Sequence, residues 1–281
     1  MTTKTSTMSL KLDKPARTAV GSLADQGKMW LVRALILIVF CAIWKAVTLL
    51  GWVKPVFIGT PEGTLREFVL QFSDPTIIYD DLRYTVIETV IGFVIASVSG
   101  TAVGILLYWT PTTRKAVMPL VVAANSLPRV ALAPLFVLWF GLGMSGKVAL
   151  VVSLVFFVML STTLAGLTQP NRDFDYLSRT IGCNRRQHVM YFVFPAAVPT
   201  ILAGMELSIT YSFLGAVAGE IVGGSYGVGV RLTAFANSFE INKFMALLVL
   251  LVIVSTASVQ LMRVLTARFT RWHAIEGMGE V

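Results

Sequence analysis

The sequence predicts an all-α protein, a polytopic membrane bundle of six transmembrane helices, on three observations. Its 281 residues are 56% hydrophobic and only 14% charged, with a mean hydropathy of +0.76, whereas soluble domains carry about 25% charged residues. Six apolar runs each reach the roughly 20 residues that a helix needs to cross a bilayer. The positive residues collect between these runs and form no single stripe, which favours a membrane lipid environment over nucleic acid as the explanation of the net charge of +8.

The apolar runs define the organisation of the chain. An N-terminal tail over 1–29 precedes an anchor span over 30–51, and an extracytoplasmic loop over 52–84 follows it. The core domain covers 85–265, with spans at 85–109, 118–140, 148–168, 196–219 and 244–265 and a long loop at 171–195. A tail over 266–281 ends the chain.

Positive charge predicts the orientation, because Lys and Arg near span ends favour the cytoplasmic side. With six spans both termini share one side, and that side holds fifteen of the 23 Lys and Arg residues. The other side holds six, among them Lys147, while Lys45 and Arg129 remain inside spans. We therefore expect a multi-pass protein of the bacterial cytoplasmic (inner) membrane, with both termini and the 171–195 loop in the cytoplasm.

The outer loop contains a helix-start signal at Thr60, Pro61 and Glu62. The apolar residues that follow it are Leu65, Phe68, Val69 and Phe72. This pattern predicts a short amphipathic helix at the outer surface. A simple packed loop is the alternative.

Small residues recur every fourth position in two places, which allows helices to approach closely. The first set is Gly92, Ala96, Gly100 and Gly104, and the second is Gly215, Gly219, Gly223 and Gly227. Helix packing within the bundle is the simpler interpretation. The second set runs past Glu220 into a glycine-rich stretch, which indicates that the helix unwinds there at an outer gate or hinge. The hinge candidates are Gly223, Gly224, Gly227 and Gly229.

The third span contains Pro119, Pro128 and Pro134, so a kink is expected. Arg129 lies in the same span, and a charge inside a membrane segment marks a functional site by default. The candidate pathway residues are Asn125, Ser126, Arg129, Glu206 and Glu220. A structural ion pair of Arg129, with Glu88 or Glu206 as partner, is the alternative.

Two enzyme motifs match only in part. Gly141, Gly146 and Lys147 resemble a phosphate loop, but Val148 replaces the hydroxyl residue and no strand precedes it. Ser225 lies in a G-x-S-x-G pattern, while the two histidines, His188 and His273, are predicted on the opposite side of the membrane. The sequence therefore predicts no catalytic residues, no metal site and no cofactor in this chain.

The 171–195 loop mixes apolar and basic residues around Gly182. Two short helices that meet at this glycine would present an apolar ridge flanked by arginines, which suits insertion into a groove of a partner. A solvated basic inner loop is the alternative.

This loop resembles the "EAA" loop of binding-protein-dependent ABC importer permeases, with thirteen positions from Gly182 to Pro195. Other segments resemble the branch that serves nitrate, sulfonates and taurine. They are Leu127 and Pro128; Ala133, Pro134 and Leu135; Trp139 with Gly141 and Gly143; Gly219 and Glu220; Gly227 and Gly229; and Arg271, Trp272 and His273.

The resemblance implies a type I ABC importer permease fold and a pore of two copies of this chain, or of this chain and a second permease. It also implies two ABC ATPase subunits, which bind ATP and Mg, and a periplasmic substrate-binding protein. The implied ATPase-coupling residues are Leu177, Ser178, Arg179, Gly182, Cys183, Arg185, Arg186 and Gln187. Tyr176 stands where the family has the loop glutamate, with Asp173 or Asp175 as its replacement.

The implied cargo is a small solute such as a sulfonate, taurine or nitrate, with aromatic carboxylates and vitamin or pyrimidine precursors also open. A secondary transporter, a membrane-embedded enzyme and a membrane sensor are the alternatives from other classes. Secondary transporters usually have inverted repeats and more spans, and the two halves of this sequence show no repeat.

Overall fold

The structure, a computed structural model, describes residues 19–169 and 172–269, and in these ranges every regular element is helical. Several sequence predictions lie outside the described residues: the N-terminal tail before residue 19, the side chain of Asp173, the tail from residue 270, and the Arg271, Trp272 and His273 ending. The chain divides into two units, residues 1–55 and 56–281.

The first unit contains helix α1, Ala19–Leu49. Eleven further α-helices follow in the described residues; α2 begins at the boundary between the units, and the other ten lie wholly in the second unit. They are α2 (Pro55–Ile58), α3 (Pro61–Phe72), α4 (Arg83–Trp109), α5 (Pro111–Ser126), α6 (Ala133–Phe140), α7 (Met144–Thr168), α8 (Arg172–Thr180), α9 (Arg185–His188), α10 (Phe194–Gly223), α11 (Val228–Asn237) and α12 (Ile241–Phe269). Single π-helical turns, Ile77–Leu82 and Val189–Val193, lead into α4 and α10.

Five segments of the described chain are long and apolar enough to cross a membrane: Gly27–Leu49, Asp80–Trp109, Met144–Thr168, Arg185–Gly223 and Ile241–Arg268. The predicted third span is a bent pair, Pro111–Ser126 and Arg129–Phe140, with an angle of 79° between its halves. The break falls at Leu127, which precedes Pro128 and takes an extended conformation, as residues before proline prefer. The expected kink is confirmed, and the six predicted spans correspond to five helices and this pair.

Helix α7 lies at the centre of the second unit, with α4 and α10 packed against it. The small residues of α4 make this packing possible. A Cβ atom on Gly100 would lie 2.6 Å from the Phe156 carbonyl oxygen, and one on Gly104 would lie 2.9 Å from Thr163 Cβ. Gly215 of α10 meets the backbone of Val151 in the same way. The helix-packing interpretation is therefore confirmed for the first set and for Gly215, Gly219 and Gly223 of the second, whereas Gly227 lies in the turn after α10.

The amphipathic helix predicted in the 52–84 loop is α3. The Gly63 N–H donates to Thr60 Oγ1 at 3.1 Å, and Pro61 occupies the first turn, so both parts of the start signal act as expected. Two hydrogen bonds join α3 to the start of α12. Thr60 N–H donates to Asn242 Oδ1 at 2.9 Å, and Gln71 Nε2 donates to the Lys243 carbonyl oxygen at 2.9 Å.

Helix α10 ends at Gly223, and a turn over 224–227 leads to α11. Gly227 has φ +118°, a value that side-chain-bearing residues rarely adopt. The expected unwinding after Glu220 is confirmed, with its start three residues later.

The tight α4–α7 contact predicts that Gly100→Ala destabilises the bundle, because the added methyl group meets backbone atoms that cannot move independently. We expect a loss of about 1–3 kcal/mol in the free energy of unfolding, measured by denaturant or thermal unfolding in detergent. Gly143→Ala is the control, since a Cβ atom there has nothing within 4 Å. Equal stability of the two variants would contradict the packing described.

Candidate functional site: a loop knob, a buried arginine and a polar cluster

The predicted site residues lie in three places. The first is the knob, formed by α8, the turn at Gly182 and α9 (residues 172–188). The second is Arg129, at the break of the bent pair. The third is a polar cluster at the opposite end of α10 from the knob. Its members are Asp81, Thr85, Glu88, Lys147, Glu220 and Arg231.

The knob folds as the sequence predicts, as two short helices that meet at Gly182. This glycine has φ +69°, in the left-handed region. A capping box starts α9: the Gln187 N–H donates to Asn184 Oδ1, and the Asn184 N–H donates to Gln187 Oε1, both at 2.9 Å. Gln187, a predicted coupling residue, therefore fixes the shape of the turn.

His188 joins the two helices of the knob. Its Nε2 lies 3.3 Å from Asp175 Oδ1, and its Nδ1 lies 2.9 Å from Ser178 Oγ. The imidazole also stacks on Phe192, with ring centroids 6.0 Å apart. Ser178 is buried as a result. Asp175 is thus an acidic side chain that pairs within the knob, one of the two candidates for the missing loop glutamate.

The outer surface of the knob is apolar with a basic border. Tyr176, Leu177 and Ile181 are exposed by 78%, 48% and 61%. Arg179 and Arg186 are exposed beside them, while Cys183 is partly buried. Exposed large apolar side chains rimmed by charge mark an interaction surface.

A second contact ties the knob to α4. The Arg185 guanidinium lies over the Trp109 ring, with Cζ 5.7 Å from the ring centroid. Trp109 is the last residue of α4. The knob is therefore attached both to α10, through the π-helical turn, and to α4.

Arg129 is nearly buried, at 8% exposure. Its guanidinium donates to Asn125 Oδ1 at 2.8 Å and to the carbonyl oxygens of Ala124 and Leu154 at 3.0 and 3.3 Å. Its Cζ lies 4.3 Å from the centroid of the Phe157 ring. No carboxylate among the described residues lies within ion-pair distance. Arg129 and Asn125 are thus brought together as predicted, whereas Ser126 donates to the Val122 carbonyl oxygen.

The glutamates considered as partners of Arg129 pair elsewhere, so that alternative is wrong. Glu88 pairs with Lys147 at 2.8 Å. Glu206 accepts hydrogen bonds from Arg263 Nε at 3.2 Å and Thr266 Oγ1 at 2.9 Å, beside a cavity of about 320 Å³. Glu220 belongs to the polar cluster. The five predicted pathway residues therefore do not form one group.

Lys147 lies inside the bundle, which corrects its predicted place in an outer loop. The ammonium donates to Glu88 Oε1 at 2.8 Å and to the Tyr226 carbonyl oxygen at 2.9 Å. Both side chains are enclosed, with 4% and 1% exposure. The lysine is missed at the sequence level because its counter-charge lies 59 residues away. Each charge makes burial of the other tolerable.

Glu220 anchors the turn that follows α10. Its Oε1 accepts from Thr85 Oγ1 at 2.6 Å, and its Oε2 accepts from the Gly229 N–H at 2.7 Å. The two N–H groups that precede Gly229 are bound by side chains of α4 and of the π-helical turn before it. Val228 N–H donates to Thr85 Oγ1 at 3.0 Å, and Gly227 N–H donates to Asp81 at 3.2 Å. Asp81 also forms an ion pair with Arg231.

The glycines of this turn provide space for that network. A Cβ atom on Gly229 would lie 2.7 Å from Glu220 Cβ, and one on Gly227 would collide with the Glu220 carboxylate. The turn and the first two residues of α11 are therefore anchored by four hydrogen bonds to their backbone. A sequence signal for this site exists, since Asp81, Thr85 and Glu88 follow the i, i+4, i+7 spacing of one helix face.

Comparisons with known proteins place these features in a family. Residues 89–271 match the family described as binding-protein-dependent transport system inner membrane component. The formylaminopyrimidine transport permease protein ThiX of Halalkalibacterium halodurans is 35% identical over 53% of this chain and 60% of its own length. A protein named for aliphatic sulfonates transport, SsuC of Bacillus subtilis, is 26% identical over 92% of this chain and 91% of its own.

The fold is also found among solved structures. The inward-facing MetNI methionine ABC transporter contains a chain with a TM-score of 0.59 and 20% identity. The match covers 71% of the present chain and 98% of that chain.

The Glu220 contacts predict that Glu220→Ala destabilises the turn and the bundle end. We expect a loss of about 1–3 kcal/mol for each buried donor left without an acceptor, measured by unfolding in detergent. Glu220→Gln retains a carbonyl oxygen for one donor and should lose less. Glu206→Ala, a partly exposed carboxylate in the same helix, is the matched control. A Glu220→Ala variant as stable as Glu206→Ala would contradict the anchoring role.

Proposed function

The chain belongs to the family of binding-protein-dependent transport system inner membrane components, and from that premise we propose how it works within an importer. It is a multi-pass membrane protein and a transport permease subunit, and the ATPase of such a system is a separate chain. The observation that carries the proposal is the knob: an exposed apolar surface bordered by arginines, on a helical bundle of membrane-spanning length. This surface suits a groove on a partner.

In the proposed assembly, two copies of this permease enclose the translocation pathway. Two ABC ATPase subunits bind ATP and Mg and receive the knobs in the cytoplasm. A periplasmic substrate-binding protein delivers the solute at the opposite end, where the polar cluster lies. Both termini lie in the cytoplasm, which the distribution of Lys and Arg supports.

The knob transmits motion as a solid body. Asp175, Ser178 and His188 join its two helices, so a force on Tyr176 or Leu177 moves both together. That movement reaches α4 through Arg185 and Trp109, and it reaches α10 through the π-helical turn. Closure of the ATPase pair would then rock the bundles between inward-facing and outward-facing states.

Arg129 offers a transient site for an anionic cargo. Its positive charge has no carboxylate partner among the described residues, and Asn125 beside it supplies an amide. A site of this kind holds an anion weakly enough to release it. The named relatives differ in cargo, a formylaminopyrimidine for one and aliphatic sulfonates for another. We propose a small organic or inorganic anion, such as a sulfonate, taurine or nitrate, as the solute.

The proposed gate lies at the outer mouth of the translocation pathway and consists of Gly223, Gly224, Gly227 and Gly229. Because the turn is tied to α4 and α7 through Thr85 and Lys147, we expect it to move with the ends of those helices. The hinge would then lie within the helices, between the cluster and the knob.

The proposed function is tested by reconstitution in proteoliposomes with the ABC ATPase and the binding protein that we expect in the neighbouring reading frames. ATP-dependent uptake of a solute that the binding protein retains is the expected result. Uptake that proceeds without the ATPase, driven by an ion gradient, would contradict the assignment.

The left-handed conformation of Gly182 predicts that Gly182→Val uncouples ATP hydrolysis from uptake. Side chains cost about 1–2 kcal/mol there, enough to reduce the population of the native knob about 5- to 30-fold. Gly182→Asn is the control, because asparagine tolerates this conformation and a Cβ atom meets nothing within 4 Å. ATPase activity and uptake are measured together, and the dimer should remain assembled. Normal coupling in Gly182→Val would count against the knob as the transmission element.

The Arg129 site predicts that Arg129→Ala reduces uptake of anionic solutes, because the pathway loses its positive charge. Arg129→Lys keeps the charge but loses the contacts with Asn125 and the carbonyl groups. Its uptake should therefore lie between that of the unmodified protein and that of Arg129→Ala. Unchanged uptake of every anion tested in Arg129→Ala, with normal protein levels, would remove the anion site from the proposal.

A further inference from the structure

Helix α3 carries an apolar stripe that the bundle leaves uncovered. Leu65, Val69 and Phe72 follow the i, i+4, i+7 spacing of one helix face, and they are exposed by 66%, 58% and 58%. These three residues are called the α3 stripe below. A short surface helix usually turns its apolar face to the protein core, so the exposure of this stripe requires an explanation.

The face of α3 that contacts the bundle is polar at both ends, and between them Phe68 packs against the apolar cluster that includes Leu247 and Leu250 of α12. Thr64 and Gln71 are each only 6% exposed, and Gln71 donates to the Lys243 carbonyl oxygen at 2.9 Å. Gly63 lies on the same side, where a Cβ atom would meet the Asn242 amide group. Helix α3 therefore binds the bundle through hydrogen bonds, close backbone approach and the Phe68 ring, and the α3 stripe lies on a different side of the helix.

Charged residues lie on a third side of α3. Successive residues are about 100° apart around a helix, so Glu62, Arg66 and Glu67 fall between the α3 stripe and the side that contacts α12, together with the apolar Leu70. Glu62, Arg66 and Leu70 are exposed, and Glu67 is partly buried. A helix that lies flat on a bilayer beside a membrane span needs this arrangement: one side against the span, one side in the acyl chains and one side in water.

The contacts with α12 set the depth of α3 in the membrane. They involve Asn242 and Lys243, in the first turn of a helix of 29 residues. Such a helix is about 43 Å long, which exceeds the roughly 30 Å hydrocarbon core. Its first turn therefore reaches the headgroup region, where Lys243 pairs with Glu240 at 2.8 Å. Helix α3 lies at the same level.

An aromatic pair at this level adds exposed apolar surface. Phe57 and Phe239 meet edge to face, with centroids 6.5 Å apart, and both rings are exposed. Phe239, two residues before α12, has φ +56°, a conformation that bulky residues rarely adopt. Exposed apolar side chains of α3 and of the Phe57–Phe239 pair thus lie at the level of the boundary between headgroups and acyl chains.

We propose that α3 is an interfacial helix whose stripe of Leu65, Val69 and Phe72 is embedded in the lipid leaflet at the polar-cluster end of the bundle. The partner of this surface is the bilayer itself, at the boundary between headgroups and acyl chains. This inference rests on the proposed function in one respect only, which is that the leaflet at the polar-cluster end is the periplasmic one. The lipid contact would hold the start of α12 at constant depth while the bundle moves.

Spin labels on the full-length chain in lipid nanodiscs test this placement. Cys41 and Cys183 are first replaced by serine, and labels are then attached to Leu65→Cys, Val69→Cys and the control Arg66→Cys, one at a time. The nanodiscs contain phosphatidylethanolamine and phosphatidylglycerol. We expect labels at 65 and 69 to collide several-fold more often with oxygen, which dissolves in lipid, than with a water-soluble nickel chelate. The label at 66 should show the opposite preference.

Two outcomes would overturn the proposal. Labels at 65 and 69 that are as accessible to the nickel chelate as the label at 66 would place the stripe in water. Labels at 65 and 69 that are shielded from both reagents would show that protein covers it, whether the 1–55 unit, a second copy or a binding protein. Two stripe positions are measured, so one variant that fails to fold leaves the other. Neither outcome involves ATP or uptake, so the transport proposal is tested separately.

Discussion

The ammonium of Lys147 is the constraint around which one end of the bundle is organised. It joins three segments at once, since it lies on α7, pairs with Glu88 of α4 and donates to the carbonyl oxygen of Tyr226 in the turn after α10. An enclosed charge without its partner is costly in a membrane protein. The three segments are therefore held in one arrangement. Thr85 extends the same network to Glu220 and the start of α11.

At the other end of the bundle, polar side-chain contacts also join separate segments of the knob, although fewer side chains take part. His188 bridges Asp175 and Ser178, and Arg185 lies over Trp109. Between the two ends, α7 and α10 run for 25 and 30 residues, about 37 and 45 Å. Polar contacts fix both ends, while small residues and apolar packing join the helices between them.

Features that depend on local sequence were predictable. Bilayer thickness dictates the length of the apolar runs, so the spans follow from counting. Thr60 and Pro61 start α3, and Gly182 separates two short helices, because capping and backbone conformation act over a few residues. The break in the third span follows from Pro128.

Features that depend on tertiary contacts were not predictable. From the sequence alone Lys147 is predicted in an outer loop, because its partner Glu88 lies on α4, which is distant along the chain. Arg231 pairs with Asp81 across 150 positions. The glycines after Glu220 suggest freedom in the sequence but provide space for its carboxylate in the fold. In each case the deciding partner lies far away along the chain.

In the proposed mechanism, the knob carries force from a separate ATPase to a helical bundle without an energy source of its own. Site-specific photocrosslinking in cells tests it most directly, with the photoreactive residue in place of Tyr176, exposed by 78%, or of Leu138, equally exposed on α6. The account predicts an adduct between Tyr176 and an ABC ATPase subunit, and no such adduct from Leu138. Labelling of the Tyr176 position by a membrane-impermeant reagent from outside the cell, without an ATPase adduct, would contradict it.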